Sequence, residues 1–339
     1  MALTRRQAIA AISTLAGKES ALSAQNKKTA LMADPISKEH QTGKSHPERP
    51  ERFQVIWDAL EHEGIVKRLT SVASRLATDD EIAACHTRRY IETAKRDIGS
   101  GARQLSTGDT AVSSRTLEVA LKAAGGALNA VDAVITGKAK NAFCLVRPPG
   151  HHATPDRGMG FCVFNNVAVA SRYAQRKHGL ERVLIADWDV HHGNGTQDIF
   201  YSDGSVLFFS THQHPWYPGT GSRDETGEGN GKGRILNRPF PAGAGREEIL
   251  GAFRQSLMPV ADAFKPDLVI LSAGFDSRKD DPLGHFLLSD DDFSELTQLM
   301  LEIAEKHAQG RLVSVLEGGY NLNGIGPAVI AHVKALEKA

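Results

Sequence analysis

Short apolar runs and helical periodicities alternate through the second half of the chain. Continuous apolar stretches occupy 142–146, 183–186, 206–210, 268–273 and 312–316. None follows a simple in-and-out alternation, so each predicts a strand buried on both faces. Between them, apolar positions fall at helical spacing over 167–178, 246–264 and 290–307. Strands separated by helices in this way predict an α/β domain built on a parallel sheet. The first half adds a helix through Phe53, Ile56, Trp57 and Leu60, reached from the proline-flanked loop His46-Pro-Glu-Arg-Pro-Glu-Arg52. Thr78-Asp-Asp-Glu81 has the pattern of a capping box at another helix start. A longer helix runs through Leu117, Ala120, Leu121, Ala124, Leu128, Val131 and Ile135, and its internal Gly125-Gly126 predicts close packing against the sheet. No repeat or low-complexity linker interrupts the pattern, so 30–339 reads as a single domain.

Charge narrows the range of partners. The 339 residues carry 40 Lys plus Arg against 40 Asp plus Glu. A balance of this kind provides no basic field for nucleic acid or an anionic membrane, so a charged substrate must be met locally. No apolar run reaches the roughly 18 residues of a membrane span. Cys85, Cys144 and Cys162 are widely spaced among apolar or small neighbours and read as buried thiols. Oligomeric state is left open.

The amino terminus departs from this ordinary picture. Thr4-Arg5-Arg6-Gln7-Ala8-Ile9 and the weakly apolar run 10–17 resemble a twin-arginine leader, with Ala21 and Ser23 beside a small-residue cleavage position. Lys18 and Glu19 interrupt the apolar run early. Residues 1–29 are therefore set apart, as an export leader to the periplasm or as a disordered segment of a cytoplasmic protein.

Candidate chemistry lies where the strands end. In open parallel sheets, ligands bind outside the carboxyl ends of the strands. After 142–146 comes Arg147-Pro-Pro-Gly-His-His152, and after 183–186 come Asp187, Asp189 and His191. The run 268–273 leads into Gly274-Phe-Asp276, and 312–316 into Glu317-Gly-Gly-Tyr320-Asn321. Residues at i, i+2 and i+4 of an extended backbone share a face. A carboxylate and an imidazole placed side by side at a strand end can hold a divalent metal, and three protein ligands with an open position make a catalytic site.

These segments, together with Gly160-Phe-Cys-Val-Phe-Asn-Asn166, resemble the zinc-dependent histone deacetylase family and its bacterial and acetoin-utilisation relatives. The similarity runs from about Ala33 to Leu336 and implies a single-domain arginase-like α/β fold. It makes Asp189, His191 and Asp276 the ligands of one zinc ion, and His151 and His152 the proton-transfer pair, held by Asp187 and Asn194. Asn at the last position resembles the class II branch. Tyr320 would donate to the developing oxyanion. A potassium ion would sit near Asp187, Asp189, His191, Ser210 and Thr211. The substrate channel would be formed by Phe161, Tyr217, Leu283, Gly160 and Gly319, with Asp109 at its rim, and Arg52 would line an internal product channel.

The implied activity is removal of an acyl group, normally acetyl, from a lysine-like amine; the alternative within the fold is an acetylpolyamine or small-amide deacetylase. Leu283 separates these, because the polyamine-selective branch carries a glutamate at the matching position and leucine offers a distant ammonium group no partner. A two-manganese ureohydrolase would need further carboxylates, whereas His192 and Gly193 follow His191, and Ser277 and Arg278 follow Asp276. A non-catalytic binding module has no need of the full ligand set, the His pair and Tyr320 together.

Overall fold

A computed structural model describes residues 29–339. The leader-like segment up to residue 28 lies outside the described residues. Among the described residues, eight strands form one sheet in the order β2-β1-β3-β8-β7-β4-β5-β6, and every neighbouring pair is parallel. The five sequence-predicted strands are β3 (Asn141–Leu145), β4 (Val183–Asp187), β5 (Val206–Gln213), β7 (Leu268–Ala273) and β8 (Leu312–Leu316). All five are buried along their whole length. This is what continuous apolar runs with helices on both sides require.

Three strands escaped the hydrophobic pattern. β1 (Ala30–Ala33) and β2 (Thr70–Val72) have four and three residues, too few to establish a period. β6 (Ile235–Phe240) is an edge strand containing Pro239 and is only partly buried. Proline demotes a run to a sheet edge because it has no N–H for the ladder. β5 extends three residues beyond its predicted end, which places Thr211 within the strand.

The helix predicted over 246–264 is interrupted. Arg246–Ala252 and Met258–Phe264 are α-helical, and Phe253–Leu257 between them is π-helical, with the Met258 N–H bonded to Phe253 O five residues back. Pro259 follows at once and removes an α-helical donor, so the ladder widens in the preceding turn. Phe253 is fully buried there, against Trp188 and Phe209. The capping box at Thr78 and Glu81 forms as predicted, although its helix, Asp79–Ile82, is a single turn.

Helix Thr116–Ile135 packs on β1, β3 and β8 and against helix Asn166–His178. A side chain at Gly126 would reach 2.3 Å from Met32 Cε on β1, and one at Gly125 2.1 Å from Arg75 O in the segment beyond β2, so Gly126 allows the close approach to the sheet and Gly125 that to the neighbouring segment. Helices Asp290–His307, Ile325–Glu337 and Glu51–His62 form a second group. The three cysteines are buried free thiols. The sheet order makes β3, β8, β7 and β4 four consecutive neighbours, so the four reactive strand ends lie side by side at its centre.

Candidate active site

β4 stops at Asp187, and two short side-chain bonds shape the turn beyond it. Asp187 Oδ1 accepts the Asp189 N–H at 3.0 Å, and Asp189 Oδ1 accepts the His191 N–H at 2.9 Å. From β7, Asp276 Oδ1 accepts the Val190 N–H at 2.9 Å, which brings the two strand ends together. His191 Nδ1 lies 3.0 Å from Asp189 Oδ1 and 3.2 Å from Asp276 Oδ2. Asp189, His191 and Asp276 are all buried, with potential ligand atoms within 4.8 Å of one another.

This cluster suits a cation. The His191 ring nitrogen is aligned on Asp189 Oδ1, which leaves the nearby, buried Asp276 Oδ2 without a well-aligned hydrogen bond among the described residues. A side chain at Gly318 would fall 2.0 Å from that oxygen and 2.5 Å from Asp189 Oδ2, so glycine keeps the cradle open. Burial opposes charging of His191, but Asp189 and Asp276 beside it raise its pKa to about 10. Burial and the Asp189 charge raise that of Asp276. A divalent ion here needs neutral imidazole and ionised carboxylates, so its binding would release protons from the cluster.

The histidine pair lies beside the cluster. His151 Nδ1 is 2.9 Å from Asp187 Oδ2, and His152 Nδ1 is 2.8 Å from Asn194 Oδ1. Their ring centroids are 4.0 Å apart. The partners differ in charge, and so do the rings. Burial works against a charged His151, but Asp189 and Asp187 hold its pKa well above the ordinary imidazole value. Burial, then the neighbouring His151 and His191, push His152 well below it. Two adjacent titratable groups driven apart can divide the roles of proton donor and acceptor. Glu317 Oε2 accepts the N–H groups of Gly150 and His151 at 2.6 and 3.1 Å, fixing the loop that carries the pair. Burial raises its pKa to about 7, against the charge of His151.

Above these groups lies a cavity of about 220 Å³ lined by Asp109, His152, Gly160, Phe161, His191, Trp216, Tyr217, Leu283 and Tyr320. Every residue the sequence assigned to the channel or its rim is there except Gly319. Gly319 instead turns its carbonyl to Arg52 Nε at 2.6 Å, and its Cα faces Phe275 and Ile325. Arg52 is fully buried at the start of helix Glu51–His62. It also donates to Glu317 O and Glu48 Oε1, and its guanidinium lies 4.8 Å from the Tyr320 ring centroid. Its position at the positive end of a helix is offset by the Glu48 carboxylate. Asp187 and Ser210 are in register on adjacent strands; Ser210 Oγ is 2.9 Å from His212 Nδ1, and Thr211 Oγ1 has no partner among the described residues.

Sequence reasoning missed four supporting residues. Trp216 went unassigned although its neighbour Tyr217 was assigned; strand alternation would point the two apart, but residues 214–219 form turns and bends. Glu48 is fully buried between Arg52 and Arg147, whose Nη2 donates to Glu48 Oε2 at 2.8 Å. Asp281 accepts the backbone N–H groups of Tyr320, Asn321 and Leu283 at 2.7, 3.1 and 2.9 Å. Glu317 was only part of a quoted motif. Glu48 offered a signal, an acid between two prolines just before a helix, whereas two of the three Asp281 partners lie 39 and 40 residues away.

The comparisons agree with this geometry. The histone deacetylase domain matches residues 46–336. A probable deacetylase of Archaeoglobus fulgidus is 41% identical over 85% of this chain and 80% of its own length. Polyamine deacetylase HDAC10 of Danio rerio is 40% identical over 85% of this chain but only 44% of its own length. The crystal structure of the HDA15 HD domain superposes with a TM-score of 0.87, at 38% identity, over 92% of this chain and 88% of that one. With a domain match that spans the ligand cluster, the histidine pair and the tyrosine loop, this chain belongs to the histone deacetylase family.

Proposed function

We propose that the protein is a zinc-dependent amide hydrolase that removes an acyl group, normally acetyl, from an amine on a lysine-like stem. The observation that carries the reading is the buried Asp189, His191 and Asp276 cluster at the floor of a narrow channel, with His151 and His152 beside it. One zinc-class ion held by these three residues would polarise the amide oxygen and lower the pKa of water toward 7. His152 accepts the proton of the attacking water, its Nδ1 fixed by the neutral Asn194. His151, held by Asp187, supplies a proton to the departing amine. Tyr320 donates to the developing oxyanion from a backbone anchored by Asp281.

Phe161, Trp216 and Tyr217 form apolar walls suited to a methylene stem and exclude water from it. Leu283 at the mouth gives a second ammonium group no partner, which favours acyl-lysine and simple acyl-amines over acetylpolyamines. Asp187 and Ser210, with the backbone around Asp189, His191 and Thr211, would hold a potassium ion behind the catalytic cluster, and Arg52 would border the route by which the freed acid leaves.

A turnover panel tests the assignment. The enzyme, loaded with one zinc-class ion per chain, should hydrolyse acetyl-lysine peptides or acetyl-alkylamines faster than acetylspermidine, compared as kcat/KM. Preference for the polyamine would overturn the assignment of Leu283, and a strict requirement for two manganese ions would overturn the single-metal mechanism.

A further inference from the structure

The channel mouth is tied together by one dipeptide. Trp216 Nε1 donates to Leu283 O at 2.8 Å, and Tyr217 OH donates to Asp109 Oδ2 at 3.1 Å. The other Asp109 oxygen accepts the Gly160 N–H at 2.6 Å, immediately before Phe161 in the opposing wall. Among the described residues, Asp109 is the only carboxylate lining the cavity. Both its oxygens are therefore engaged, one by fixed backbone and the other by a rotatable hydroxyl on a side chain still 38% exposed.

We propose that the Tyr217 hydroxyl is a specificity determinant that disfavours acyl-lysines within a peptide relative to acyl-amines without flanking amides; this rests on the deacylase reading above. When a lysine stem fills the channel, the peptide backbone lies across the mouth and its N–H groups lose water. Each such group needs an acceptor. Asp109 Oδ2 is the rim acceptor suited to it, and Tyr217 already donates there. The peptide must displace the phenol or share the oxygen in poorer geometry. A plain alkylamide with the same stem leaves no backbone at the rim and meets no such competition. The ring of Tyr217 serves the channel wall, whereas its hydroxyl donates to Asp109, so Tyr217→Phe separates the two roles.

The test compares an internal acetyl-lysine peptide with N-acetylpentylamine, which has a matching stem and no backbone. The ratio of their kcat/KM values, peptide over alkylamide, should rise about tenfold in Tyr217→Phe, as expected for one charge-assisted hydrogen bond regained by the peptide. In an Asp109→Ala background, the same Tyr217→Phe change should leave that ratio where Asp109→Ala alone sets it. A ratio that stays put or falls in Tyr217→Phe overturns the proposal. So does a rise of equal size without Asp109, which would assign the effect to channel width. Hydrolysis of neither amide by the wild-type enzyme overturns the deacylase reading and this proposal with it, an outcome distinct from turnover of both at an unmoved ratio.

Discussion

Tyr320 shows how a single side chain is made useful by residues that never touch substrate. Its backbone N–H is fixed by Asp281, its ring lies beside the Arg52 guanidinium, and the preceding Gly319 carbonyl is held by Arg52 Nε. Burial raises the phenol pKa well above its ordinary value, against the charge of Arg52, so it stays a donor. Tyr320→Phe should therefore lower kcat by about a hundredfold or more while zinc content measured on the same preparation stays at wild-type level. Unchanged kcat would reduce the tyrosine to packing. The pairs His151 with Asp187 and His152 with Asn194 were legible through the family resemblance, which is carried by short, recognisable segments. Asp281 and Glu48 were not, because an isolated acid in a loop looks solvated until the fold brings its partners from elsewhere. Gly319 lies outside the cavity lining because neighbours on a loop share a motif but not a direction.

Among the elements, the loop before helix Glu51–His62 is joined to two strand ends through Glu48. Arg147 extends from the end of β3, and Arg52 reaches carbonyls of Glu317 and Gly319 beyond β8. Burial alone would raise the Glu48 pKa, but Arg147, then His40 and Arg52, hold it well below its usual 4.5. A carboxyl depressed by folding contributes stability that is fully present above its unfolded pKa and lost as pH falls through its folded one. Glu48→Gln leaves two buried guanidinium groups without their anion, and should cost about 3 to 5 kcal/mol in urea denaturation near neutral pH. The gap between wild type and variant should narrow as pH drops below 4.5, because protonation removes the same charge. A gap independent of pH would mean that lost packing explains the change. At this scale the apolar runs revealed the fully buried strands, while β1, β2 and β6 were too short or too polar to stand out, and the π-turn before Pro259 left no periodic signal.

For the whole molecule, the legible part was the alternation, and the missing part was the order of strands. Hydrophobic periodicity indicates a parallel sheet without saying which strands are neighbours. The convergence of four reactive ends was inferred from their shared edge, and the structure makes them adjacent at the centre of the sheet. The leader reading concerns residues 1–29 and is tested outside the fold: fractionation should find a shortened form beyond the cytoplasm that is lost when Arg5 and Arg6 become Lys, and a full-length cytoplasmic product alone would refute export.

The adjacency of β4 and β7 has a thermodynamic consequence for the folded domain as a whole. Asp189 and His191 follow β4, and Asp276 follows β7, so the cluster brings together two acids, and burial followed by repulsion from Asp189 raises the Asp276 pKa. A divalent ion would offset that repulsion with attraction to both carboxylates across the seam, and it can bind tightly only while the two strand ends are held together. An ion at about a thousandfold excess over its dissociation constant adds about 4 kcal/mol to folding stability. Chelation should thus lower the thermal unfolding midpoint of the whole domain, and zinc should restore it. Asp276→Asn should remove most of this zinc-dependent shift, since it loses one ionised ligand while keeping the side-chain oxygen that can accept from Val190 N–H. An unfolding midpoint that ignores chelator and zinc alike would show that this seam is held by the protein alone.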